Sequence, residues 1–122
     1  MARMIQVVVV DDEEQITDIL KEYLLFAIKE IEIHAFNDSL AAKAFIEQNP
    51  VDVLITDFKM PRFDGVQLME SVSPNLRKIM ISGYLSEIGE ERLKDLNATF
   101  FSKPVPLRTI AKLVSEYQEE LS

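Results

Sequence analysis

The chain has 122 residues, of which 48% are hydrophobic, and a formal net charge of −8. That length supports one core and is short for two ordinary domains, so residues 1–122 are expected to form a single domain. The chain has no cysteine, which excludes disulfides and thiolate metal sites; an acidic surplus without a cluster of Lys and Arg argues against direct nucleic-acid binding; and no apolar run approaches the roughly 18 residues of a membrane span, so a cytoplasmic protein is expected.

In chain order, Ile5–Val10 is β-branched at nearly every position, as in a strand buried on both faces of a parallel sheet. It is too short for a signal sequence and stops at Asp11 and Asp12. Ile16, Ile19, Leu20, Tyr23, Leu24, Ala27 and Ile28 then follow helical spacing, and Asp12, Glu13 and Glu14 favour the positive end of that first helix. Ile31, Ile33 and Ala35 alternate with Glu32 and His34, the pattern of a second strand at a sheet edge, with no chemistry at its end. Asp38 and Ser39 offer a cap for a second helix through Leu40, Ala41, Ala44, Phe45 and Ile46, which Asn49-Pro50 ends.

Residues 51–56 read as a third strand that stops at Asp57. Met60-Pro61 and Asp64-Gly65 follow as turn signals, and Val66, Leu68, Met69 and Val72 mark a short third helix closed by Pro74. Residues 79–82 form a fourth strand ending at Ser82, with Gly83 placed for a tight turn or a close backbone approach. The fourth helix, residues 86–96, has a sparse apolar stripe broken by Gly89 and is the element expected to move. Asn97 suits a left-handed cap, residues 98–102 form the fifth strand, and Lys103-Pro104 ends it. Pro106 opens a last helix striped by Leu107, Ile110, Ala111, Val114, Tyr117 and Leu121.

Unbroken β-α alternation with right-handed crossovers predicts an α/β fold, a flavodoxin-like doubly wound (βα)5 three-layer sandwich. Its five-stranded parallel sheet takes the order 2-1-3-4-5, with ligands bound beyond the carboxyl ends of strands one and three. Asp11, Asp12 and Asp57 then share a crevice, with Ser82 and Lys103 on the next strands along. Singly these residues have plain explanations: a helix cap, a turn, a solvated charge. Together they end four separate strands at one edge.

Three carboxylates in one crevice repel one another and call for a cation. Oxygen ligands without His or Cys select a hard ion, Mg²⁺ or Mn²⁺, held with waters and a phosphate. An Asp carboxylate beside such an ion can attack phosphorus, giving an aspartyl phosphate whose charge Lys103 and Ser82 would meet. His34, the acidic tail Glu116, Glu119 and Glu120, and the pair Phe100-Phe101, one ring on each face of its strand, read as structural.

The motifs Val10-Asp11-Asp12-Glu13, Asp57 with Met60-Pro61 and Asp64-Gly65, Ser82-Gly83 and Lys103-Pro104 resemble, in this order and spacing, the receiver domain of two-component response regulators. The resemblance covers essentially the whole chain. It implies that Asp57 accepts a phosphoryl group from a phosphohistidine on a sensor histidine kinase or histidine phosphotransferase, the chain catalysing the transfer and its own later dephosphorylation. It implies that Asp12, Asp57 and the backbone carbonyl of Lys59 hold Mg²⁺ directly and Asp11 through water. Lys103 would pair with the phosphoryl group, and its bond to Pro104 would be cis. Ser82 and Phe100 would form the switch that reshapes the face of helix four, strand five and helix five for a downstream effector protein or domain; dimerisation through that face stays open. Phe100 lacks the hydroxyl of the Tyr many relatives carry, and Lys59 and Tyr84 occupy positions that tune dephosphorylation. Two other readings remain: a Mg²⁺-dependent phosphatase with an Asp nucleophile, for which the chain has no cap insertion, and a degenerate receiver that only binds proteins, although no expected site residue is missing.

Overall fold

The protein, seen in a computed structural model, is described over residues 4–83 and 88–122. Among these residues, strands β1 (Ile5–Val10), β2 (Ile31–Phe36), β3 (Val53–Thr56), β4 (Arg77–Ser82) and β5 (Ala98–Ser102) alternate with helices α1 (Glu14–Ala27), α2 (Ser39–Gln48), α3 (Gly65–Ser71), α4 (Glu90–Lys94) and α5 (Leu107–Leu121). The strands form one sheet in the order β2-β1-β3-β4-β5, and every pairing is parallel. The expected fold class and strand order both hold.

Two strand starts differ from the sequence reading. β3 begins at Val53 rather than at residue 51, although the Asp52 backbone still bridges its neighbours: its N–H donates to Gln6 O at 2.8 Å and its carbonyl accepts from Arg77 N–H at 2.9 Å. β4 begins two residues early, at Arg77, because Lys78 lies inside the sheet despite its charge. The expected fourth helix was to start at Ser86, which lies outside the described residues, as does Tyr84; its described part is the single turn and a half from Glu90 to Lys94.

Successive strand residues alternate between two apolar layers. Val7, Val9, Ile55 and Ile79 pack with Leu20 and Leu24 of α1 and Ile110 and Val114 of α5. Val8, Val10, Leu54 and Met80 face the opposite way, onto Ala42 of α2, Val66, Leu68 and Met69 of α3, and Ile88 and Leu96 on either side of α4. Because both faces are covered, every central-strand position is worth filling with a β-branched or long apolar residue, at about 1.5–3 kcal/mol for each fully buried side chain. Phe100 and Phe101 follow the same alternation, each half-buried against a different layer.

The helices turn their stripes slightly away from the expected ones. In α1 the buried positions are Thr17, Leu20 and Leu24, whereas Ile19 is 46% exposed and Ala27 also faces water. In α2 it is Ser39 and Ala42 that are buried, while Leu40, Ala41 and Ala44 are exposed. Each stripe runs through a small or hydroxyl residue, Thr17 in α1 and Ser39 and Ala42 in α2. Thr17 can enter the core because its Oγ1 donates to Glu14 O at 3.0 Å and accepts from Asn37 Nδ2 at 3.0 Å. In α5, Gln118 is buried for a similar reason, its Nε2 donating to Lys29 O at 3.0 Å and Glu30 O at 2.9 Å. His34 is structural, as read: its Nε2 lies 2.9 Å from Gln6 Oε1 and its ring packs on Phe45 at 4.5 Å. Asn97 takes the left-handed conformation expected of it, with φ 53°.

Candidate functional site

The acids are placed by ladder hydrogen bonds that continue one step beyond the strands. Asp57 N–H donates to Val10 O at 3.0 Å, and Asp11 N–H donates to Phe36 O at 3.1 Å. On the far side Lys103 N–H donates to Ser82 O at 3.1 Å. These bonds tie the residues just past β1, β3 and β5 to neighbouring strand ends, so the sheet itself fixes the spacing of the side chains.

One carboxylate oxygen each from Asp11, Asp12 and Asp57 lies within 4.8 Å of the others. Asp11 is only 2% exposed and Asp57 7%, while Asp12 is exposed at the rim. Lys103 Nζ donates to Asp11 Oδ2 at 3.1 Å and stands 3.5 Å from Asp57 Oδ2 and 4.0 Å from Glu13 Oε1. Lys103 thus stands among carboxylates of Asp11, Asp57 and Glu13, with Asp12 grouped beside them. The cleft above them measures about 690 Å³ and is lined by Asp12, Glu13, Asp57, Lys59, Met60, Pro61, Gly83 and Lys103.

This charge balance leaves its mark on protonation. Burial, then the nearby Asp11 charge, pushes Asp57 from 3.8 up to about 6, against the opposing pull of Lys103 and the Phe58 N–H. Asp11 is raised as well, mainly by burial, although the Glu13 N–H at 2.9 Å and Lys103 oppose this. Burial draws the Lys103 ammonium down, but its hydrogen bond to Asp11 and the charges of Asp57, Asp11 and Glu13 outweigh that and leave it raised. A site with too much buried negative charge and an all-oxygen donor set fits a hard divalent cation.

Two neighbours, Asn37 and Gly65, hold the frame. The cap position of α1 falls at Glu13, whose side chain makes no capping bond, so Asp11 and Asp12 stand ahead of the helix rather than serving as its cap. Asn37, just past β2, donates to Asp11 O at 2.8 Å and so supports the site from a strand end where the sequence showed no chemistry. Its signal was slight: an amide at a fifth strand end beside the crevice. Gly65 was expected to supply turn freedom, but no glycine has positive φ among the described residues; Arg62 takes that conformation instead, at 69°. What Gly65 supplies is the absence of a Cβ, which would overlap the Asp57 carbonyl oxygen and press on Phe58 Cα. Gly83 is the reverse case: nothing lies within 4 Å of where its Cβ would be, so a close backbone approach does not account for it, and the turn it was expected to open runs into residues outside the described ones.

Asp11, Asp12, Asp57 and Lys103 are therefore brought together, and Lys59 is exposed on the cleft wall. Ser82 ends the neighbouring strand fully buried, and neither it nor half-buried Phe100 lines the cleft. The Lys103–Pro104 peptide is cis.

With this geometry in hand, comparison with known proteins gives a consistent result. Residues 7–115 match the response regulator receiver domain family. The chain is 30% identical over 114 residues to the response regulator GtcR of Aneurinibacillus migulanus, covering 90% of this chain and 46% of that protein. It is 26% identical over 108 residues to the response regulator receiver protein CpdR of Brucella abortus, covering 84% of this chain and 88% of the relative. The crystal structure of a CheY-like response regulator receiver domain protein from Methanospirillum hungatei superimposes with a TM-score of 0.83 at 29% identity, over 96% of this chain and 95% of that one. Against four curated relatives, the regulatory protein VanRc of Enterococcus gallinarum and GtcR among them, the chain spans between 24% and 46% of their length. No helix among the described residues is long and apolar enough to cross a membrane.

Proposed function

The chain belongs to the response regulator receiver domain family, and from that premise we propose that it is a phosphorylation-dependent signalling switch with Asp57 as the phosphoacceptor. The observation that carries this reading is the position of the Asp57 carboxylate: buried to 7% exposure at the floor of the cleft, yet 3.5 Å from the Lys103 ammonium and grouped with Asp11 and Asp12. A carboxylate held there can act as a nucleophile toward phosphorus, forming the mixed anhydride of an aspartyl phosphate whose added charge Lys103 stands ready to meet.

In the transfer, an Asp57 oxygen attacks the phosphorus of a partner's phosphohistidine. The new O–P bond forms as the P–N bond to imidazole breaks, and the departing imidazole takes up a proton. The donor is a sensor histidine kinase or a histidine phosphotransferase. Phe58 N–H, which donates to Asp57 Oδ1 at 2.8 Å, orients the carboxylate. Lys103 shifts its charge from Asp11 and Asp57 onto the phosphoryl oxygens. Asp11, Asp12, Asp57 and the Lys59 carbonyl would hold Mg²⁺ or Mn²⁺, which when bound supplies the positive charge that the clustered carboxylates lack. Later attack by water on phosphorus releases phosphate and regenerates Asp57, with exposed Lys59 on the cleft wall beside the path.

The signal leaves through Ser82 and Phe100. The Ser82 hydroxyl donates to a phosphoryl oxygen, and Phe100 sinks from its half-buried position, favouring a second packing of α4, β5 and α5 that an effector protein or domain reads in the cytoplasm. Incubation with Mg²⁺ and acetyl phosphate tests this by intact-mass spectrometry. The expected result is one added phosphate on the chain and none on Asp57→Asn; an equal adduct on the variant would overturn the assignment.

A further inference from the structure

Arg92, in the middle of α4, stands over the loop that carries the acceptor. Its Nη2 lies 3.3 Å from Asp64 Oδ2 and 3.4 Å from Asp64 Oδ1, and its guanidinium carbon is 5.9 Å from the centre of the Phe58 ring. Both contacts lead to Asp57. Phe58 follows it directly, donates its N–H to Asp57 Oδ1 at 2.8 Å, and accepts Gly65 N–H on its carbonyl at 2.8 Å. Asp64 caps α3, its Oδ1 accepting Gln67 N–H at 2.8 Å. One guanidinium therefore grips the loop after Asp57 at both ends, by charge at Asp64 and over an aromatic face at Phe58.

Among the described residues α4 has few other ties. It has five helical residues, and its cap residue, Gly89, has no side chain to close the first turn. Buried Ile88 and Leu96 flank it, and half-buried Leu93 packs beneath it. Among the described residues, Arg92 to Asp64 is the one ion pair joining α4 to the rest of the protein. A short, weakly capped helix whose described side chains hold it by a few apolar contacts and one ion pair can shift when that pair changes.

Resting on the reading of Asp57 as acceptor, we propose that Arg92 is a positioning residue for phosphorylation: through Phe58 and Asp64 it holds the Asp57 carboxylate ready to attack and links the seat of α4 to the state of the site. The link is reciprocal. A partner that draws Arg92 off Asp64 slows phosphate uptake, and a change at Asp57 loosens or tightens α4.

The test compares Arg92→Ala, Asp64→Asn, the double variant and Arg77→Gln. Asn at position 64 can still accept the Gln67 N–H, so α3 keeps its cap while the ion pair is lost. Arg77→Gln removes a different surface pair, Arg77 to Glu120 at 3.2 Å, and serves as the control. Uptake from acetyl phosphate with Mg²⁺ is followed by intact mass, together with amide exchange over residues 90–94. Arg92→Ala and Asp64→Asn should each slow uptake about two- to fivefold, the scale of one exposed ion pair with one exposed cation–π contact. The double variant should be no slower than the slower single, exchange over 90–94 should rise in all three, and the control should match the parent. Uptake at the parent rate in both singles, equal slowing in the control, or multiplied effects in the double variant would each overturn the proposal. A parent chain that takes up no phosphate would instead overturn the reading of Asp57 on which it rests.

Discussion

Replacing Asp57 by Asn should stabilise the protein while abolishing its chemistry, because the folded chain stores unfavourable energy in that carboxylate. The folded value is about 6 against 3.8 for an ordinary Asp, chiefly through burial. Between these two values the native state holds a proton that the unfolded chain has released, so stability falls as pH rises from about 4 to about 6 and stays reduced above. At 1.36 kcal/mol per unit the cost at neutral pH is at most about 3 kcal/mol. Water in the cleft screens the charge and lowers this to on the order of 1–2 kcal/mol. The amide of Asn keeps an oxygen for Phe58 N–H, and Lys103 keeps Asp11 at 3.1 Å, so little else is lost. Urea unfolding in chelator from pH 5 to pH 8 measures the effect. Asp57→Asn should gain on the order of 1–2 kcal/mol at pH 7.5, and the gain should shrink towards pH 5. A variant less stable than the parent at pH 7.5, or a gain that does not change with pH, would refute the reasoning.

Gly65→Ala should cost roughly 1–3 kcal/mol, because the added methyl overlaps the Asp57 carbonyl, whereas Gly83→Ala, with open space at its Cβ, should stay within about 0.5 kcal/mol; urea midpoints separate the two. Lys78 is 5% exposed with Ser73 O at 3.3 Å as its acceptor, and burial holds its ammonium below the usual lysine range. The unfolded chain then binds more protons as pH approaches the ordinary lysine value, so stability rises with pH there. Lys78→Met should gain on the order of 1 kcal/mol at pH 7.5, with the gain shrinking towards pH 10 in the same unfolding assay.

How much of this was legible in the sequence depended on whether a signal was periodic or relational. β1 and β5 fall on the expected residues because apolar runs bounded by Asp11 and by Lys103-Pro104 leave no choice of ends. Strand order followed from alternation, and with it the meeting of Asp11, Asp12, Asp57 and Lys103. Lys78 was misplaced because polarity counts against a strand interior, although a long side chain there can still reach a carbonyl past its end. The α1 stripe was read too broadly because Ile19 was counted for its apolar side chain, although it lies nearly opposite Thr17, whose hydroxyl is satisfied by Glu14 O and Asn37 Nδ2 on the buried side. Asn37, Gly65 and Arg92 act through partners 26, 8 and 28 positions away in sequence respectively, Asp11, Asp57 and Asp64. No spacing rule announces a pairing of that kind before the fold does.

The most direct test asks where the phosphate sits. After reaction with Mg²⁺ and acetyl phosphate, borohydride converts an aspartyl phosphate to homoserine, and peptide sequencing by mass spectrometry locates it. Homoserine at position 57 alone is the predicted outcome. Homoserine at Asp11, Asp12 or another acid, with position 57 unchanged in a chain that has taken up phosphate, would contradict it.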